Sequence, residues 1–168
     1  NPTHILLIED DVKIVNFMSM AFKAKGYKVS AAYTGNSGIL SFCTEKPDLI
    51  LLDLGLPDKD GIEIIKEIRN VSQIPILIVS AREQERDKIL ALDAGANDYV
   101  TKPFSMGELM ARIRVMERFV ERFEVAEPKS VYHFDYLIVD VDKRRIWVED
   151  QEVHITTLEY KFLIFLVQ

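Results

Sequence analysis

The chain has 168 residues, 21 Lys plus Arg against 27 Asp plus Glu, a formal net charge of -6 and 48% hydrophobic residues. That allows one full domain with a remnant, or two small ones, and excludes a wholly disordered chain or a fibrous repeat. The single cysteine, Cys43, excludes an intrachain disulfide framework and a cysteine-rich zinc cluster, and the scattered His4, His133 and His154 offer no local ligand spacing. The apolar runs are short and broken by charge, and Asn1-Pro2-Thr3-His4 runs straight into a strand-like segment with no room for a signal peptide. The expectation is a soluble cytoplasmic protein without membrane insertion, whose mild acidity argues against unassisted nucleic-acid binding.

In chain order, the first domain is expected over 1–124, as five repeats of an apolar run followed by a helical stretch. The runs are Ile5-Leu6-Leu7-Ile8, Tyr27-Lys28-Val29-Ser30-Ala31, Leu49-Ile50-Leu51-Leu52, Ile76-Leu77-Ile78-Val79 and Tyr99-Val100-Thr101. Three of them are almost unbroken, which suits parallel strands covered on both faces. Lys25-Gly26 and Ala94-Gly95 read as helix exits at glycine, and Asn70 precedes the approach to Pro75. Alternating strands and helices with short connections make a three-layer α/β domain, and right-handed crossovers bring the carboxyl ends of the strands to one edge.

A linker is expected over 125–130, around Glu127-Pro128-Lys129-Ser130, followed by a second domain over 131–168. There Tyr136 to Val141, Arg145 to Val148 and Val153 to Ile155 read as short antiparallel strands. Thr156 can cap a helix from Tyr160 through Val167, with Glu159 reaching back to it. So few residues can hardly bury a core of their own, and the second domain is expected to be cut short.

The chemistry gathers at the strand ends. Glu9-Asp10-Asp11 follows the first strand and Asp53 closes the third, and in a doubly wound sheet ligands bind outside the carboxyl ends of the strands. Carboxylates meeting there repel one another and call for a hard divalent cation with oxygen ligands. Mg2+ suits such a site and leaves room for a phosphoryl oxygen, so that Asp53 could attack phosphorus and form an acyl phosphate. Ser80 at the fourth strand end supplies a hydroxyl and Lys102 beyond the fifth an ammonium, completing a metal, acceptor, donor and counter-charge. Taken singly, a serine beyond a strand is commonly a helix cap and a loop lysine commonly faces solvent; their joint placement is what points to the site. Gly55 either bends the chain so that its carbonyl enters the metal sphere or is an ordinary loop glycine. Pro103 leaves both isomers of the Lys102-Pro103 bond open.

On these residues the chain resembles a two-component response regulator. Ile5 to Asp11, Asp48 to Gly61, Ile76 to Ala81 and Ala91 to Phe104 are similar to that family's receiver signatures, and the combination of Asp53, Pro57, Gly61, Ser80-Ala81 and Lys102-Pro103-Phe104 is specific. The resemblance implies a five-stranded doubly wound parallel sheet in the order 2-1-3-4-5, the flavodoxin/CheY-like receiver. It implies that Asp53 is the phosphoacceptor, that Glu9, Asp10, Asp53 and the Gly55 carbonyl hold Mg2+, and that Asp11 is a spare acid. Ser80 would follow the phosphoryl group, Lys102 would form the salt bridge, and Tyr99 would be the switch aromatic. The phosphoryl source would be a partner sensor histidine kinase, and the protein a signalling protein rather than an enzyme.

The remnant resembles the start of the winged-helix DNA-binding domain of the OmpR/PhoB subfamily, with its recognition helix and wing beyond Gln168. DNA binding would then belong to the full-length transcription regulator and be weak or absent in this fragment. The stretch 47–104 looks closest to KdpE-type regulators of potassium uptake. The subfamily's homodimer, through the fourth helix, fifth strand and fifth helix, would set Lys88 against Glu108, Asp93 against Arg114 and Asp98 against Arg112 around an apolar seam of Ile89, Leu92 and Ala111. Glu108 and Arg112 can instead pair within their own helix. The alternatives are a metal-dependent phosphatase or hydrolase, for which Asp58 and Asp60 are the nearby acids, and a stand-alone receiver that acts as an interaction module.

Overall fold

The computed structural model describes residues 1–120 in full and, beyond them, the backbone of the end of one helix and of four short strands. The elements run β1 His4–Ile8, α1 Val12–Ala24, β2 Lys28–Ala32, α2 Gly35–Glu45, β3 Leu49–Leu52, α3 Gly61–Arg69, β4 Ile76–Ser80, α4 Glu85–Ala94, β5 Asp98–Thr101 and α5 Met106–Val125. The five strands form one sheet in the order β2-β1-β3-β4-β5 with every neighbouring pair parallel, the doubly wound order expected from the sequence.

The unbroken apolar runs are explained by two cores, one on each face, because successive strand residues point to opposite sides. Ile5, Leu7, Leu49, Leu51, Leu77 and Val79 pack with Val15, Met18 and Phe22 of α1 and Leu109, Ile113 and Met116 of α5. Leu6, Ile8, Ile50, Leu52, Ile76 and Ile78 pack with Ile64, Ile65 and Ile68 of α3 and Ala91 of α4. The β2 run is displaced by one residue from its expected position. Tyr27 lies outside the strand and meets Phe22 edge to face at 6.1 Å, so its ring belongs to the core beneath α1.

Helix ends follow local chemistry. Asp11 caps α1, its carboxylate accepting the N–H groups of Lys13 at 3.0 Å and Ile14 at 3.4 Å. Thr34 caps α2 in a reciprocal pair with Ser37. Gly95 ends α4 at φ 121°, and a Cβ there would stand 2.7 Å from Arg69 Cγ, so both its backbone and its surroundings require glycine. The Arg69 guanidinium group donates to Gly95 O and Asn97 Oδ1, both at 2.9 Å, tying the end of α3 to the turn before β5.

The chain divides into two units, with the break in α5 between Val120 and Glu121. In the second, β6 Val131–Phe134, β7 Leu137–Asp140, β8 Arg145–Val148 and β9 Gln151–Val153 form an antiparallel sheet in sequence order. Arg145–Val148 is where it was expected, Leu137–Asp140 falls inside the run expected over 136–141, and Gln151–Val153 starts two residues before the expected Val153. The first strand, Val131–Phe134, was not anticipated, because it follows directly on polar linker sequence and shows its strand character only by pairing with β7. The helix expected over 160–167 and most of the linker lie outside the described residues.

Candidate functional site

Continuation of the sheet's hydrogen bonding past the strand ends places the site. Asp53 N–H donates to Ile8 O at 2.9 Å, Glu9 N–H to Ala32 O at 3.0 Å and Lys102 N–H to Ser80 O at 2.8 Å. The residues just beyond β1, β3 and β5 are thereby held in place by backbone hydrogen bonds to neighbouring strands. Glu9, Asp10 and Asp53 converge so that one carboxylate oxygen from each lies within 4.8 Å of the others. Glu9 and Asp53 are buried and Asp10 is exposed.

Lys102 offsets this charge. Its ammonium group donates to Glu9 Oε1 and lies 3.3 Å from Asp53 Oδ2. The Glu9 carboxyl is pushed up to about 7, first by burial and then by Asp53, with Lys102 opposing. Burial draws the Lys102 ammonium down, but its bond to Glu9 and the charge of Asp53 outweigh that and raise it. A buried acidic pair and an exposed third acid are an oxygen donor set that fits a hard divalent cation; Glu9, Asp10 and Asp53 would hold it, with Lys102 beside them as a counter-charge. Asp11, by contrast, is committed to the α1 N-terminus.

The remaining expected residues fall as follows. Ser80 is fully buried, and its Oγ accepts the N–H of Arg82 at 3.2 Å. The Lys102-Pro103 bond is cis. Tyr99 is half-buried and its hydroxyl donates to Arg82 O at 2.7 Å; burial raises its phenol above the ordinary value. The Lys88 ammonium lies 5.9 Å from the Tyr99 ring centroid. Gly55 N–H donates to Asp53 Oδ1 at 3.2 Å, and a Cβ at Gly55 would meet nothing. Crowding therefore does not demand glycine there. It does at Gly61, where a Cβ would lie 2.6 Å from Leu54 Cα and 2.8 Å from Asp53 O.

On the α4, β5 and α5 face, Ile89, Leu92 and Ala111 are exposed, as an intermolecular seam requires. Arg112 meets Asp98 at 2.8 Å and Glu108 at 3.0 Å within the single chain, so the intrahelical pairing foreseen for Glu108 is present. Asp93 and Arg114 are exposed.

Sequence reasoning missed Arg82 and underread Asp58 and Asp60. Asp58 reaches α2, accepting Gly35 N–H at 2.7 Å and Asn36 N–H at 2.8 Å. Asp60 accepts Ile62 N–H at 2.9 Å and pairs with Arg82 at 3.2 Å. These two acids, the nearby candidates for a hydrolase, are occupied with helix ends and an arginine. The one available signal for Arg82 was its position two residues past Ser80.

The description "Response regulator receiver domain" fits residues 5–114, and the chain belongs to that family. It is 44% identical over 165 residues to the KDP operon transcriptional regulatory protein KdpE of Escherichia coli strain K12, covering 98% of this chain and 72% of that protein. It is likewise 44% identical over 159 residues to the transcriptional regulatory protein KdpE of Staphylococcus aureus, covering 95% of this chain and 68% of that one. Among solved structures, the response regulator DrrB of Thermotoga maritima, an OmpR/PhoB homolog, matches with a TM-score of 0.64 at 28% identity, over 99% of this chain and 72% of that one. The chain is thus an OmpR/PhoB-type receiver closely related to KdpE-like proteins. Its acidic cluster is that of a receiver whose signalling is driven by aspartate phosphorylation, and it is a regulator rather than an enzyme. Among the described residues no helix is long and apolar enough to cross a membrane.

Proposed function

We propose that Asp53 accepts a phosphoryl group from the phosphohistidine of a sensor kinase. An Asp53 carboxylate oxygen attacks phosphorus, the bond from phosphorus to the histidine nitrogen breaks, and the acyl phosphate remains on Asp53. The observation that carries this is the convergence of Glu9, Asp10 and Asp53 with Lys102 against two of them. Glu9, Asp10, Asp53 and the carbonyl of Gly55 hold Mg2+, which when bound offsets the charge gathered on the phosphoryl oxygens. Lys102 shifts from the carboxylates toward the phosphoryl group, and Ser80 turns its hydroxyl from Arg82 to a phosphoryl oxygen. Tyr99 follows Ser80 as the switch.

The output is a receiver dimer through α4, β5 and α5, using Lys88, Asp93, Asp98, Glu108, Arg112 and Arg114 around the exposed apolar residues. Phosphorylation favours that dimer rather than creating it. Arg112 would have to exchange an intrachain partner for an interchain one, so the charges set orientation more than strength. In domain terms, 1–124 is the receiver, 125–130 the linker and 131–168 the beginning of a winged-helix DNA-binding domain. The names of the KdpE relatives support transcriptional regulation as the role of the intact protein, and a regulator of transcription in a bacterium works in the cytoplasm.

The test is intact-mass measurement after acetyl phosphate with Mg2+. One phosphoryl adduct is expected on the natural protein and none on Asp53→Ala, which should keep its thermal unfolding transition. Undiminished labelling of Asp53→Ala would defeat the assignment.

A further inference from the structure

Arg82, in the turn between β4 and α4, is bonded through side chain and backbone alike. Its guanidinium group donates to Asp60 Oδ2 at 3.2 Å and approaches Leu54 O at 3.4 Å. Its N–H donates to Ser80 Oγ at 3.2 Å, and its carbonyl accepts the Tyr99 hydroxyl at 2.7 Å. One residue therefore joins the loop after Asp53, the buried hydroxyl at the end of β4 and the aromatic ring of β5.

Stability does not account for this arrangement. The Arg82 and Asp60 side chains are 35% and 44% exposed, and exposed pairs contribute at most about 1 kcal/mol. The support at the far end is firm, since Leu54 is wholly buried and Asp60 also accepts Ile62 N–H at the start of α3. What the ion pair fixes is the Arg82 backbone, and with it the two groups that backbone holds.

We propose that Arg82 is a positioning residue, its ion pair with Asp60 anchoring the β4–α4 turn so that the Arg82 carbonyl holds Tyr99 in register with Ser80. When Ser80 turns its hydroxyl away from the Arg82 N–H, the turn loses one tie, and the guanidinium group's bonds to Asp60 and Leu54 O are what still restrain it. The pair thus sets how closely Tyr99 follows events at Asp53. Lys88, against the Tyr99 ring, passes the ring's position to the exposed face of α4. The last link rests on the proposed reading that phosphorylation favours a dimer through that face; the anchoring of Tyr99 does not.

The experiment uses the full chain with 3-fluorotyrosine at position 99 alone, read by 19F NMR. Arg82→Ala and Asp60→Asn are compared singly and together, with Arg82→Lys as the conservative variant; Asn at 60 keeps an oxygen for the Ile62 N–H. Arg82→Ala is expected to displace the Tyr99 resonance, Asp60→Asn to displace it in the same direction by as much or less, the double variant to displace it no further than Arg82→Ala, and Arg82→Lys to restore at least part. An unmoved resonance in Arg82→Ala, or a double variant shifted by the sum of the singles, overturns the anchor. Sedimentation after acetyl phosphate and Mg2+, normalised to the labelled fraction, reads the coupling. The tightening of the dimer seen in the natural protein is expected to fall about tenfold in Arg82→Ala, and full tightening in that variant overturns the link to Ser80 and Asp53. A natural protein that labels but never dimerises defeats the dimer reading instead, and Arg82 is then judged on the Tyr99 resonance alone.

Discussion

At the scale of single residues, the site is governed by how much charge can be buried at one strand edge. Glu9, held up to about 7 by burial and by Asp53, carries a proton below that pH in the metal-free protein. Raised above its unfolded value, this carboxyl favours the folded state at low pH. That contribution is lost as pH rises from the unfolded value of 4.5 through about 7. Metal binding must release the same proton, so Mg2+ affinity should rise about tenfold between pH 6 and pH 8. Calorimetric titration at the two pH values checks this, and Glu9→Gln should bind more weakly but with that pH dependence flattened. Lys102 carries the opposite charge to the same oxygens. Lys102→Ala should still take up Mg2+ yet lose most of the phosphorylation-induced shift toward dimer, as sedimentation would report.

Elements impose a second set of demands, and two acids near the site answer to them. Asp11 belongs to α1, whose first free N–H groups it accepts. Asp11→Ala should lower stability by about 1 kcal/mol and leave Mg2+ affinity unchanged, a pairing of results that urea unfolding and calorimetry would verify together. Asp58 works across elements, from the loop after β3 to the N-terminus of α2, and the N–H groups of Asn36 and then Gly35 hold its carboxyl below the ordinary value. A depressed carboxyl stabilises the folded protein above its unfolded value and ceases to as pH falls through the folded one. Asp58→Ala should therefore lower Tm at pH 7, with the difference from the natural protein narrowing in acid. α4 contrasts with both: its cap residue makes no side-chain bond, Ala91 is its buried residue, and Ile89, Leu90 and Leu92 stand exposed. Such an element is lightly held.

For the whole molecule, close approach at Gly61 shows how the core and the site depend on one another. Gly61→Ala forces a methyl group against Leu54 Cα and Asp53 O, so the backbone at Asp53 must move. Loss of both stability and acetyl phosphate labelling is expected, whereas Ile64→Ala, which empties core volume away from the carboxylates, should cost about 2–5 kcal/mol and label normally while folded.

Much of this was determined by sequence alone. Unbroken apolar runs specify strands covered on both faces, glycines at 26 and 95 mark helix exits, and Glu9, Asp10, Asp53, Ser80 and Lys102 all stand where strands end, because strand ends are local events. Right-handed crossovers then bring those ends to one edge, while the order of the strands was implied by the family resemblance. Tertiary structure alone decided which side chains those residues meet. Asp58 turned to α2, and Arg112 to Asp98 of its own chain beside the Glu108 foreseen along its helix. Beside the site, packing requires glycine at Gly61 and not at Gly55. Arg82 became a junction only when β3, β4 and β5 were brought side by side. Periodicity and turn chemistry act over a few residues and can be read along the chain, but hydrogen bonds and close contacts between distant residues exist only once the sheet has set their separation.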